Sequence, residues 1–129
     1  MLLGSLYAGM SFANAPVGAV HALAYPIGSF HVPHGLCNSL LLPRILEFNA
    51  PSAQKLYAEI APICFPSISE GTDSQKVDKF IEKVSTLSKS LELPQTLNEV
   101  GIKATDCDFM ASEAMKQTRL LINNPCEVT

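Results

Sequence analysis

Residues 1 to 43 contain no Asp, Glu, Lys or Arg, and every charged side chain lies from Arg44 onward. Because apolar residues are the ones that fill protein interiors, this third of the chain is expected to be buried. A membrane span requires about 20 uninterrupted apolar residues. Polar residues, glycines and prolines interrupt this stretch, at Gly4, Ser11, Asn14, Pro16, Gly18, His21 and Pro26. We therefore expect helices inside a protein core and no contact with a membrane.

The spacing of the apolar residues predicts an all-α fold, a bundle of about five to seven helices in a single domain over residues 1–129. A first helix over residues 2–13 is apolar on all sides, which is typical of an interior helix. A second helix is predicted from about residue 16 toward residue 30, with His21 and Tyr25 on one face. No alternating pattern is long enough to predict a strand.

Prolines determine where the next two helices are predicted to end and begin. A third helix carries the leucines of residues 36–42 until Pro43 kinks or ends it, and a fourth helix begins near Pro51. After a loop, the clearest amphipathic helix follows Thr72, and a last helix runs from Thr105 to Leu120. The apolar stripe of the amphipathic helix is spaced by threes and fours, at Val77, Phe80, Ile81, Val84, Leu87 and Leu91.

Charge and cysteine content exclude several classes of protein. A net charge of -3 gives no basis for nucleic-acid binding, which requires clustered Lys and Arg. The four cysteines form no Cys-x-x-Cys pair, which disfavours a zinc clamp or a redox motif. We expect buried free thiols and, since no export signal is recognisable, a cytoplasmic protein. The four positions are Cys37, Cys64, Cys107 and Cys126.

All three histidines lie in the uncharged part, at His21, His31 and His34. One interpretation is that each imidazole hydrogen-bonds a backbone carbonyl in the core. The other is that two or more converge on a metal ion. A catalytic divalent ion needs nitrogen and oxygen ligands with one position left open, and two imidazoles are too few for that. The spacing of the histidines leaves both interpretations open.

Two stretches carry a resemblance to a known family. Residues 9–28 read GMSFANAPVGAVHALAYPIG, and residues 32–43 contain VPHGLCN followed by LLLP. These stretches resemble the signature region of the iron-containing (group III) alcohol dehydrogenases. A weaker likeness continues through residues 93–102 and the Asn124-Pro125 pair. The resemblance implies a helical bundle like the C-terminal domain of the dehydroquinate-synthase-like dehydrogenases.

The same resemblance implies roles for individual residues. His21 and His34 match the two histidines that bind the catalytic Fe²⁺ or Zn²⁺ in this family. Phe12 matches a phenylalanine that lines the pocket near the nicotinamide of NAD(P). Tyr25 stands where the family often has a histidine that relays the alcohol proton. The tyrosine departs from that pattern, so the resemblance implies a pocket residue at Tyr25 and assigns it no proton relay. The segment before His34 is one residue shorter than the family pattern, which leaves His31 as a pocket residue without an assigned role.

The resemblance also defines what this chain is expected to do. The whole protein would transfer a hydride between an alcohol or aldehyde substrate and NAD(P). The family's other two metal ligands, an Asp and a His from an earlier helix, and its glycine-rich nucleotide-binding domain have no counterpart within these 129 residues. We therefore expect the metal-binding half of such an enzyme, truncated at both ends and inactive alone. The alternative is a non-catalytic helical module that self-associates through residues 1–14, and either interpretation predicts a homo-oligomer.

Overall fold

The computed structural model describes all residues from Met1 to Thr129 and contains only helices and the turns that join them. The predicted all-α fold is therefore confirmed. Two short 3-10 turns, Leu97–Val100 and Ala104–Asp106, lie between the fourth and fifth helices. In chain order the helices are α1 (Leu2–Asn14), α2 (Ala19–Gly28), α3 (His34–Cys64), α4 (Asp73–Ser90), α5 (Cys107–Met115) and α6 (Thr118–Leu121).

The core is divided into two clusters, and α3 takes part in both. The first cluster joins the second half of α3 to α4, where the ring of Phe80 lies 6.2 Å from that of Tyr57 and 6.0 Å from that of Phe65. The second cluster joins α2, the start of α3 and α5, with Ile27 and Cys37 completely buried. Since α3 spans both clusters, it fixes the position of α2 relative to α4.

The prediction for α3 was wrong in one respect, because a single helix of 31 residues replaces the expected pair. Pro43, Pro51 and Pro62 all lie inside it. Proline has a backbone φ that suits a helix, but each proline removes one hydrogen bond to the carbonyl four residues earlier. Packing against α2 along one part of α3 and against α4 along another compensates for these losses.

The prediction that the uncharged segment is buried holds for α2 and fails for α1. Five residues of α2 are buried, whereas α1 has none. An extended residue, Ala15, separates α1 from the clusters that form the core. On this chain α1 therefore presents its apolar side chains to solvent, among them Leu3, Leu6 and Tyr7.

Three smaller predictions also needed correction. The last helix is broken at residues 116 and 117, where N–H groups donate to carbonyls three residues earlier and tighten the turn between α5 and α6. The apolar stripe of α4 is buried only as far as Ile81, while Leu87 and Leu91 are exposed. The four thiols are unpaired, but only Cys37 is buried, so the expectation of buried cysteines was wrong for the others.

None of the helices is both long and apolar enough to cross a membrane.

Candidate metal centre

The structure brings His21 and His34 together. His21 lies in the first turn of α2, and His34 is the first residue of α3. Between the two helices the chain reverses through a tight turn, in which the N–H groups of residues 29 to 31 donate to carbonyls of residues 26 to 28. The two imidazole rings end with their centroids 5.3 Å apart and their planes inclined by 56°.

Asn38 joins the two histidines. Its side-chain nitrogen lies 3.3 Å from Nε2 of His21 and 3.2 Å from Nε2 of His34. An amide nitrogen has two N–H groups, so it can donate one hydrogen bond to each ring when both Nε2 atoms are unprotonated. The Oδ1 atom of Asn38 is buried and has no hydrogen-bond partner. The two Nε2 atoms therefore face a common point that is occupied by a polar group.

The surroundings of His21 favour its neutral form. Burial lowers the pKa of His21 below its usual value, and the neighbouring His34 lowers this pKa further. Burial disfavours the charged form because the imidazolium loses hydration, and a second imidazolium nearby would repel it. Neutral imidazole is the form that coordinates a metal ion. The electrostatics of the site and the direction of the two Nε2 atoms are thus compatible with a metal centre.

These side chains fit a metal ion as two ligands of an incomplete set. Imidazole nitrogens are common ligands of iron and zinc, and the two Nε2 atoms converge. No group of three or more His, Cys, Asp or Glu side chains is close enough to hold an ion anywhere in the structure. The unpartnered Oδ1 atom of Asn38 shows that the polar groups of this site are not fully satisfied within the chain.

A groove of about 520 Å³ opens beside the histidine pair. His21 and Asn38 form one part of its lining, and two exposed leucines, Leu87 of α4 and Leu91 directly after it, form another part. This groove explains why the apolar stripe of α4 continues beyond the buried core. The exposed end of the stripe lines an open cleft beside the imidazole of His21.

The other predicted site residues lie apart from this pair. Phe12 is on α1 and 57% exposed, and Tyr25 lies one turn after His21 on α2 and is 53% exposed. His31 lies in the turn between α2 and α3 with a backbone φ of 64°, a left-handed conformation that is uncommon for residues other than glycine. No side-chain hydrogen bond or ring contact joins these three residues to His21 or His34.

Sequence reasoning did not identify Asn38 as a site residue. Its signal is its position four residues after His34, which places both side chains on the same face of α3. That spacing does not reveal the second contact, because His21 belongs to a different helix. The role of Asn38 as a bridge was therefore visible only in three dimensions.

The chain is similar to known dehydrogenases over its whole length. The family described as "Fe-containing alcohol dehydrogenase family, C-terminal" matches residues 1–129. Alcohol dehydrogenase 4 of Saccharomyces cerevisiae is 36% identical over 132 residues, covering 100% of this chain and 33% of the yeast protein. Lactaldehyde reductase of Escherichia coli is 32% identical over 130 residues, covering 100% of this chain and 34% of that protein. The chain thus spans about a third of the length of the curated relatives it matches.

Solved structures agree with these relatives. A crystal structure of a 1,3-propanediol oxidoreductase superposes with a TM-score of 0.91 at 34% identity, covering 97% of this chain and 33% of that one. An alcohol dehydrogenase from Oenococcus oeni gives a TM-score of 0.88 at 33% identity, covering 95% of this chain and 32% of that one. This chain therefore belongs to the iron-containing alcohol dehydrogenase family and has the fold of its C-terminal helical domain.

Proposed function

We propose that this chain supplies the metal-binding helical part of an alcohol dehydrogenase that transfers a hydride between an alcohol or aldehyde and NAD(P). The observation that supports this proposal is the convergence of the Nε2 atoms of His21 and His34 on one point. Membership in the family and the names of its relatives, which include a lactaldehyde reductase, support the substrate class.

In this proposal His21 and His34 hold an Fe²⁺ or Zn²⁺ ion through their Nε2 atoms. The ion, when bound, polarises the oxygen of the alcohol and lowers its pKa. Burial of His21 keeps its imidazole neutral and available for binding. In the metal-free structure Asn38 directs both rings to the same place. Each Nε2 atom has a single lone pair, so the hydrogen bonds from Asn38 would be replaced by the ion. The remaining ligands would approach over the groove that opens at Asn38 and His21.

Phe12 and Tyr25 are proposed as residues of the nicotinamide and substrate pocket, and His31 as a residue at its edge. The exposure of the Phe12 and Tyr25 side chains leaves them free to contact a cofactor or substrate. Tyr25 lies one turn after His21 on the same face of α2, so its hydroxyl group can lie near a substrate bound at the metal. A phenol has a pKa of about 10 and exchanges protons less readily near neutral pH than an imidazole does.

We further propose that the chain alone binds metal weakly and does not oxidise alcohols. Two imidazoles provide fewer ligands than the three or four of a typical zinc site, so we expect a dissociation constant roughly in the micromolar range or weaker. Hydride transfer also requires the nicotinamide to be positioned against the substrate, and positioning contributes a large part of the rate. The exposed thiols of Cys64 and Cys107 are compatible with a reducing cytoplasm.

Anaerobic titration of the chain with Co²⁺ or Zn²⁺ tests the assignment of the two ligands. We expect His21→Asn and His34→Asn each to weaken metal binding at least tenfold, because each removes one of two ligands. His31→Asn is the matched control, since asparagine tolerates the left-handed backbone at this position and His31 does not contact the pair. Unchanged binding in His21→Asn, or equal losses in all three variants, would contradict the proposal.

A separate assay tests the expected inactivity of the chain alone. NADH production from a primary alcohol is measured with saturating metal and NAD⁺. We expect no rate above that of the His21→Asn variant. A rate that His21→Asn abolishes would show that this chain contains a complete active site.

A second candidate function is a non-catalytic helical module that self-associates. The exposed apolar surface of α1 favours it, because the whole helix contains no buried residue. Large exposed apolar patches on a folded domain mark surfaces that other proteins cover. The metal titration separates the two candidates, since a purely structural module has no reason to lose metal affinity selectively when His21 or His34 is replaced.

A further inference from the structure

The helix that carries His21 has no N-terminal cap from its own sequence. Gly18 occupies the capping position of α2 and has no side chain that could accept a hydrogen bond. The Oδ1 atom of Asn124 accepts a bond from the backbone N–H of Ala19 at 3.3 Å, although the two residues are 105 positions apart. A residue near the C-terminus therefore performs the role that Ser, Thr, Asp or Asn usually performs next to a helix.

The amide of Asn124 is also paired with a buried residue of α3. The Nδ2 atom of Asn49 donates to Oδ1 of Asn124 at 3.0 Å, and Nδ2 of Asn124 donates to Oδ1 of Asn49 at 2.7 Å. Asn49 is only 4% exposed, and Asn124 makes another bond to the carbonyl of Cys126 at 2.7 Å. Because each amide satisfies the other, the pair costs little desolvation energy despite its burial.

The backbone before α2 is shaped to let Asn124 approach. A Cβ atom added at Gly18 would lie 3.1 Å from Oδ1 of Asn124, which is closer than ordinary contact, and 3.4 Å from its Cα atom. The neighbouring Asn123 donates to the carbonyl of Val17 at 3.4 Å. Two consecutive asparagines thus contact the segment that leads into α2.

These contacts give α2 a second polar attachment to α3. His21 is joined to α3 through Asn38, and Ala19 is joined to it through Asn124 and Asn49. Asn38 and Asn49 are eleven residues apart on α3, which corresponds to roughly 16 Å along the helix axis. Both attachments lie in the first turn of α2, at Ala19 and His21, so they fix the start of this helix against two separate points of α3.

We propose that Asn124 and Asn49 are positioning residues that hold the start of α2 so that the imidazole of His21 meets that of His34. This inference rests on the proposed metal-binding role of the histidines. Neither asparagine contacts the metal site, since both act through the backbone of Ala19, two residues before His21. Asn124 is part of the Asn124-Pro125 pair that the sequence resemblance singled out without a role.

The test compares Asn124→Ala, Asn49→Ala and Gly18→Ala with Asn98→Ala, an exposed asparagine outside this network. In the metal-free chain, NMR cross-peaks between the rings of His21 and His34 are measured at a temperature where circular dichroism shows every variant to be folded. We expect these cross-peaks in the unmodified chain and in Asn98→Ala, and their loss in Asn124→Ala. Gly18→Ala keeps both asparagines and only displaces Asn124, so we expect a weaker effect there.

Metal affinity provides the second measurement. Replacement of residues that orient metal ligands typically weakens binding about 10-fold to 100-fold, and we expect at least tenfold for Asn124→Ala. A purely structural role would lower the melting temperature but leave the cross-peaks and the affinity of the folded protein unchanged, and that result would overturn the inference. If His21→Asn binds metal as well as the unmodified chain, the proposed function fails, while the cross-peaks still decide the role of Asn124.

Discussion

At the scale of single residues, the two histidines of the site lie in different environments. His21 is half-buried and lies against His34, whereas His34 is exposed to solvent. Both burial and the second imidazole disfavour a positive charge on His21, so its pKa lies below the usual value. The structure thus favours the neutral form of this imidazole independently of any bound ion.

We expect part of the free energy of unfolding to be lost as the pH falls below about 6.5. In the folded chain the pKa of His21 is lowered from 6.5, so the unfolded chain takes up this proton first as the pH decreases. This contribution to stability is complete above the unfolded pKa and disappears as the pH falls through the folded pKa. Urea unfolding at about pH 7.5 and about pH 5.5 measures it.

In His21→Asn the loss of stability between these two pH values should be smaller than in the unmodified chain. His31→Asn is the control, because it removes an exposed histidine that makes no ring contact with the His21–His34 pair. If the free energy of unfolding depends equally on pH in His21→Asn and in the unmodified chain, folding does not lower the pKa of His21 and the expectation is wrong.

At the scale of helices, α3 illustrates the limit of local rules. Pro43 and Pro51 predicted two separate helices, yet one helix runs through both residues. Local preference is outweighed here because α3 packs against α2 and α4, and each packed segment fixes the helix on one side of a proline. By contrast, α4 begins where its capping residues predict. Thr72 and Gln75 cap its first turn reciprocally, as expected for a helix that follows a threonine.

Pro51→Ala should therefore stabilise the fold. Pro51 is exposed, so its replacement removes little packing and restores a backbone donor for the carbonyl of Glu47. Proline is about 3 kcal/mol less favourable than alanine inside a helix. Alanine also makes the unfolded chain more flexible, which reduces this gain in stability by roughly 0.4 to 1 kcal/mol. We expect a net increase of about 2 kcal/mol in the free energy of unfolding, measured from the urea midpoint.

Pro66→Ala is the matched control for this prediction. Pro66 is also exposed but lies in the turn after α3, where no helical hydrogen bond can be restored. We expect it to be neutral or slightly destabilising. A decrease in stability for Pro51→Ala would indicate that α3 needs the bend that this proline introduces.

At the scale of the whole molecule, the distribution of apolar surface is uneven. The buried clusters are formed by α2 to α5 and the segments that join them, whereas α1 contributes nothing to them. Exposed apolar surface costs roughly 25 cal/mol per Å² relative to burial. We therefore expect α1 to be covered in solution by a second copy of the chain, in a symmetric contact centred on residues 1–14.

Leu3→Asp combined with Leu6→Asp should shift the chain from oligomer to monomer, because a charge placed in an apolar contact loses its hydration without gaining a partner. Light scattering coupled to size exclusion measures the change in mass. The control is Leu56→Asp with Ile63→Asp, since these α3 side chains are 62% and 79% exposed but lie away from α1 in sequence. Monomeric behaviour of the unmodified chain at high concentration would contradict the expectation.

The sequence by itself determined the features that depend on neighbouring residues. Apolar spacing predicted helices and no strands, and the fold confirms both. The uncharged segment correctly predicted the buried helix α2. The resemblance to the family, carried by residues 9–43, indicated His21 and His34 as metal ligands. These signals are local because helix periodicity and motif spacing are properties of consecutive residues.

Only the tertiary structure decided what depends on distant residues. Asn38 touches His21 from another helix, Asn124 caps α2 from 105 positions away, and α3 runs through its prolines because of packing on both sides. Periodicity specifies which face of a helix is apolar but not which helix will cover it. The exposure of α1 has the same origin, since its apolar residues predict burial and only the arrangement of the other helices shows that this chain does not cover them.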